Sequence, residues 1–140
     1  MAVKETALWK WLSKARLIYR EDLHMNRVEN SVVSGFPDVE GYLQEYGQFW
    51  IELKIGKITG KGDKARVRTK VRDKQVEWHR RRRQAGQRTW FLIQVGKDKY
   101  MLSGKYAREL REGPTVDWFT GAAYAVGDQE YALILAADIR

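Results

Sequence analysis

The segment Phe49-Trp50-Ile51-Glu52-Leu53-Lys54-Ile55 places one carboxylate and one amine inside an apolar run of strand type. Residues two apart on a strand share a face. Glu52 and Lys54 therefore point one way, while Ile51, Leu53 and Ile55 point into a core. Charge in such a place costs free energy unless it is paired or bound to a metal. A sheet containing this strand must bury one face and give chemistry to the other.

A chain of 140 residues fits one domain around one core. Apolar content of 44% and charged content of 31% are those of a globular protein. Six Trp and seven Tyr are many for this length, enough to fill a core and leave some to stack on bases. With no cysteine, disulfides and thiolate zinc sites are excluded. No apolar run approaches the roughly 20 residues that span a bilayer, and the first five residues show no signal-peptide core. The expectation is a cytoplasmic protein with no membrane partner. A net charge of +8 points to a polyanionic partner, with solubility as the plainer explanation.

The rest of the chain reads as α/β. Leu8, Trp11, Leu12, Ala15 and Tyr19 recur at helical spacing and predict a helix over residues 5–20. Residues 24–33 mix polar and β-branched residues and enter the first strand, a turn covers residues 34–37, and a short strand covers 38–43. Residues 44–47 connect it to the strand at 48–55. Residues 56–70 hold three Gly and six basic side chains without apolar period, and are expected to form a mobile basic loop. Asp73 is expected to cap a helix that ends near Ala85, before Gly86. Residues 89–95 predict a central strand buried on both faces, and 99–102 the next strand. A short helix over 106–111 stops at Gly113-Pro114. Residues 116–140 are compatible with a strand, a helix or a dimer surface.

Upstream of the charged strand stands Ser34-Gly35-Phe36-Pro37-Asp38, thirteen residues before Glu52-Leu53-Lys54. Downstream stand Val71-Arg72-Asp73-Lys74-Gln75-Val76-Glu77-Trp78-His79 and Gly86. This combination resembles the PD-(D/E)xK nuclease superfamily, in particular its VRR-Nuc and Holliday-junction-resolvase-like branches, over about residues 1–103. The literal Val-Arg-Arg triplet of the former is absent. The resemblance implies a restriction-endonuclease-like mixed sheet of four to five strands flanked by helices. Residues 104–140 would then be an extension that completes the sheet or dimerises.

Asp38 and Glu52 are the expected ligands of Mg²⁺ or Mn²⁺, since hard cations take carboxylate oxygens. Leu53, between Glu52 and Lys54, completes the ligand set that the resemblance implies. The competing roles are a turn-forming Asp38 and a Glu52 paired with Lys54. Lys54 can activate the attacking water or stabilise negative charge at phosphorus. The resemblance also implies a third acid on the first helix. Glu5 suits it, and Glu29, nearer Asp38, competes. Gln75 is placed by the resemblance near the lysine, where it could bond the scissile phosphate or the water.

Phosphate contacts are expected from Lys57, Lys61, Lys64, Arg66, Arg68 and Lys70 in the loop, and from Arg72, His79, Arg82 and Arg83 on the helix. Part of the run at residues 80–83 must be solvated surface, because it winds most of the way around the helix. The resemblance implies DNA as the partner, duplex or branched, cut by structure rather than by sequence, with a homodimer as one form of the enzyme. The chain lacks the phosphate loop of ATP-driven proteins and the nucleophile elbow of acyl hydrolases. The alternative function is a nucleic-acid-binding module without turnover.

Overall fold

The computed structural model describes residues 2–28 and 36–138. In chain order its elements are α1 (Ala2–Ser13), α2 (Arg16–Tyr19), β1 (Leu23–Arg27), β2 (Val39–Leu43), β3 (Gly47–Thr59), β4 (Arg66–Arg68), α3 (Asp73–Gln84) and β5 (Arg88–Val95). They continue with β6 (Asp98–Ser103), α4 (Ala107–Glu112), α5 (Val116–Ala122), β7 (Tyr124–Ala125) and α6 (Gln129–Asp138). The architecture is α/β, an open mixed sheet in the order β1-β2-β3-β5-β6-β7, with β4 paired to the far end of β3. β3 and β5 run parallel, joined by a crossover through α3, and the other pairs are antiparallel.

Among the described residues the sheet has seven strands rather than four to five. The additional ones are β4 and β7, three and two residues long, too short to leave a periodic signature. A turn at residues 14–15 also breaks the expected first helix into α1 and α2.

Alternation along the strands divides the core in two. Phe49, Ile51 and Leu53 of β3, Trp90 and Leu92 of β5, and Met101 of β6 face Leu8 and Leu12 of α1 and Leu133 and Leu135 of α6. The opposite parity sends Phe91, Ile93 and Leu102 against Leu110 of α4 and Phe119 of α5. Each such side chain, fully buried, contributes roughly 1.5–3 kcal/mol. Gly41 of β2 lies beneath the ring of Phe49, where an added Cβ would strike the ring itself. The segment after residue 103 is part of this structure: β7 extends the sheet edge and α6 covers one face.

Residues 56–70 are not a structureless loop. β3 runs on to Thr59 and turns back into β4, pairing Lys57 with Arg68 and Thr59 with Arg66. Val67 is buried, and its N–H donates to the Pro114 carbonyl at 2.9 Å. Arg66 and Arg68 donate to the carbonyls of Gly113 and Glu112. The alternation Arg-Val-Arg is itself a strand pattern, with one apolar residue turned inward and two cations outward. Among the described residues, no helix is long and apolar enough to cross a membrane.

Candidate active site

Asp38 and Glu52 meet because of strand register. β2 and β3 are antiparallel with Val39 opposite Ile51, so one further step sets Asp38 beside Glu52. The paired residues of β2 and β3 end at Val39 and Ile51. In place of a main-chain bond, Asp38 Oδ2 accepts the Leu53 N–H at 2.8 Å. Leu53 thus reaches the site through its main chain, while its side chain lies in the core.

Glu52 and Lys54 are 2% and 7% exposed, on the sheet face covered by α3. Gln75, in the first turn of α3 and 3% exposed, bridges them. Its Nε2 donates to Glu52 Oε2 at 3.0 Å, and its Oε1 accepts from Lys54 Nζ at 3.0 Å. Oε1 also accepts the Arg72 N–H at 3.0 Å, so two donors converge on it and fix the orientation of the amide. Lys54 Nζ donates once more, to the Lys70 carbonyl at 2.8 Å. An ammonium carries three protons, and the third is left for the pocket.

The start of α3 corrects one expectation. Arg72, in an extended conformation, is the N-cap of α3, and Asp73 is its first helical residue, paired with Arg111. Gln75 half-completes a capping box by accepting from Arg72, and the rest of its amide holds Glu52 and Lys54. Its oxygen is fully engaged and orients the charged pair, while one Nε2 proton is used by Glu52.

Burial pushes the Asp38 carboxyl up to about 7, with the neighbouring Glu52 charge adding to the effect and the Leu53 N–H opposing it. Burial likewise raises Glu52 to about 7, against the pull of Lys54. The same desolvation lowers Lys54, while the two carboxylates raise it. Two neighbouring carboxyls with one ammonium nearby lack a full set of counter-charges. Glu52 Oε1 is buried without a hydrogen-bond partner. Two neighbouring carboxyls on the wall of one pocket suit a hard divalent cation, which would take its remaining ligands from water and substrate. Among the described residues, no three His, Asp or Glu side chains stand close enough to enclose a metal by themselves.

A pocket of about 450 Å³ opens over this group, lined by Glu5, Asp38, Glu52, Lys54, Arg72 and Gln75 among others. Glu5, half-buried in the first turn of α1, stands on its wall, and its charge raises both Glu52 and Lys54. Glu29 lies outside the described residues.

The cations expected to grip phosphate divide into groups. Lys57, Lys61 and Lys64 are exposed along the β3–β4 hairpin. Arg66 and Arg68 are exposed but also tie that hairpin to residues 112–113. Lys70 and Arg72 border the pocket. Arg82 lies over the rings of Trp50 and Trp78, half-buried, and Arg83 donates to the Thr89 carbonyl at 3.2 Å.

His79 is misplaced as a phosphate contact. It is 0% exposed, stacked on Phe91 with ring centroids 4.5 Å apart. Burial lowers it to about 3, so it is neutral, and its Nε2 approaches Glu52 Oε1 at 3.6 Å without forming an ion pair. Helical spacing put it on the Gln75 face correctly, but that face meets the sheet rather than solvent.

Three aromatic residues beside the site escaped the sequence reading. Phe36, Trp50 and Trp78 pack edge to face, with Trp50 and Trp78 centroids 5.2 Å apart, and join β3 to α3 next to Glu52. Trp50 shares the parity of Glu52, which was the available signal. No protein-family model matches the chain, and no curated protein matches it.

Proposed function

We propose that the chain is a metal-dependent nuclease that hydrolyses DNA phosphodiester bonds, on a restriction-endonuclease-like fold of the PD-(D/E)xK kind. The observation that carries this is the convergence of Asp38, Glu52 and Lys54 in one pocket, with Glu52 Oε1 unbonded. Mg²⁺ or Mn²⁺, held by Asp38, Glu52 and the main chain near Leu53, would supply a Lewis acid and a more acidic water. Gln75 keeps Glu52 turned toward the pocket. Lys54, anchored by Lys70 and Gln75, directs its remaining proton at a phosphate oxygen and stabilises charge as it grows there. Lys70 and Arg72 receive the flanking backbone at the pocket rim. Branched, flapped or nicked DNA is the proposed substrate, chosen by structure rather than by sequence.

The test is cleavage of supercoiled plasmid and of a four-way junction with Mg²⁺ or Mn²⁺, for the wild type, Asp38→Ala and Lys54→Ala. Metal-dependent cutting by the wild type, lost in both variants, is the expected result. DNA binding by the wild type without any cutting would instead identify a nucleic-acid-binding module.

A further inference from the structure

On its other flank, α3 borders a second concavity. A groove of about 370 Å³ runs between α3 and the Gly104–Glu112 region, and Arg80, Arg83, Lys105 and Arg108 line it with Glu109. Glu77 balances Arg80 by an ion pair, and Glu109 can balance one more charge, which leaves two cations of the groove wall without a counter-charge. Arg83 is the least comfortable of them. It is half-buried, burial lowers its pKa, and its hydrogen bond goes to a neutral carbonyl rather than to a carboxylate. Partly desolvated guanidinium groups normally find an anion, and their planar fork matches a phosphate.

The groove is also built to shape. Its floor at Gly104 is packed against β5 and α3, where an added Cβ would come within 2.6 Å of His79 Nδ1 and 2.8 Å of the Thr89 carbonyl oxygen. Ser103 Oγ accepts the Lys105 N–H and holds the turn that carries Lys105. Consecutive residues of α3 serve the two concavities: Gln75 lines the candidate active site and Val76 lines the groove. From Gln75 to Arg83 is eight residues, about 12 Å of helix.

We infer that the groove between α3 and α4 is a binding site for the phosphate backbone of nucleic acid, on the flank of α3 away from Lys54. It adds Lys105 and Arg108 to the cations that bind substrate. This inference rests on the nuclease reading for its substrate class, but its test does not need turnover.

The experiment is fluorescence-anisotropy binding of a labelled 30-base-pair duplex and a four-way junction across a salt series in EDTA. The wild type is compared with Lys105→Gln/Arg108→Gln and with the charge-keeping pair Lys105→Arg/Arg108→Lys. Removing both cations should weaken binding about tenfold or more at low salt, and should flatten the plot of log affinity against log salt by about two in slope. The charge-keeping pair should restore both. Unchanged affinity and slope in the Gln pair overturn the groove, whatever the wild type does to DNA. A wild type that binds with the expected slope difference yet never cuts DNA leaves the groove standing and removes the nuclease.

Discussion

Glu52 presents one carboxylate oxygen to Gln75 at 3.0 Å and leaves the other without a hydrogen-bond partner. A buried oxygen with no partner usually costs about 1–3 kcal/mol. The cost persists here because Gln75 is itself held by Lys54 and by the first turn of α3, so Glu52 cannot rotate to satisfy both oxygens without releasing the amide. The rigid part of the site is thus Gln75, and the unsatisfied oxygen lies buried, 3.6 Å from His79 Nε2.

The raised carboxyls make stability depend on pH with a definite sign. Asp38 and Glu52 titrate near 7 in the folded chain and near 4 when unfolded. The folded state therefore binds extra protons between those values, and ionising the pair above pH 7 is destabilising. Asp38→Asn/Glu52→Gln removes that cost. The variant should exceed the wild type at pH 8 by on the order of 2–4 kcal/mol without metal, and the excess should vanish near pH 4. Mn²⁺ should raise the wild-type Tm at pH 8, do little at pH 5, and leave the variant unmoved. Thermal melts at the two pH values measure all three, and an equal Mn²⁺ shift in the variant would place the cation elsewhere.

Lys54→Met keeps the length of the side chain and removes its charge. The ammonium is the nearest counter-charge to both acids, so its loss should push Glu52 and Asp38 further up and weaken their hold on a cation. Cleavage should fall about a hundredfold to a thousandfold in kcat, with far-UV circular dichroism unchanged. Lys54→Arg should not rescue it. The longer, planar guanidinium cannot replace a compact ammonium between the Lys70 carbonyl and Gln75.

Strand alternation carried most of what the sequence could tell. It put Glu52 and Lys54 on one face and Ile51 and Leu53 in the core, and the register of β2 on β3 set Asp38 beside them. It could not tell which side of an amphipathic α3 meets the sheet, because Gln75 and His79 are polar and yet buried there. Polar residues buried by a network look like solvent-facing residues until the network is known. β4 was missed for another reason. Its pairing is sustained by contacts with residues 113–116, nearly fifty positions away, and composition read the same residues as a loop. Lys105 and Arg108 look like ordinary helix surface, and only the packing of α4 on α3 brings them to Arg83.

Gln75→Ala should damage three things together. Glu52 loses its remaining hydrogen bond, Lys54 loses one of two anchors, and the Arg72 N–H loses its cap partner. The cap should cost about 1 kcal/mol of stability. Metal affinity and kcat should each fall about 10- to 100-fold, as for groups that orient a ligand rather than bind the ion. Isothermal titration with Mn²⁺ separates the two effects. A Gln75→Ala protein that binds Mn²⁺ as tightly as wild type, yet is slower, would return Gln75 to direct contact with substrate.

His79 distinguishes a buried support from a phosphate contact. Its folded pKa near 3 lies below the unfolded value near 6.5, so the folded state binds fewer protons between them, and stability is lost as pH falls through that window. His79→Leu removes the titrating group, and the acid-side loss of stability should shrink accordingly, measured as the urea midpoint between pH 7 and pH 4. The same variant should bind DNA with the wild-type salt slope, because a side chain 0% exposed releases no counterion. A slope lower by about one would mean that the imidazole reaches the backbone after all. For that to happen α3 would have to lift from the sheet, parting His79 from Phe91 and exposing Glu52.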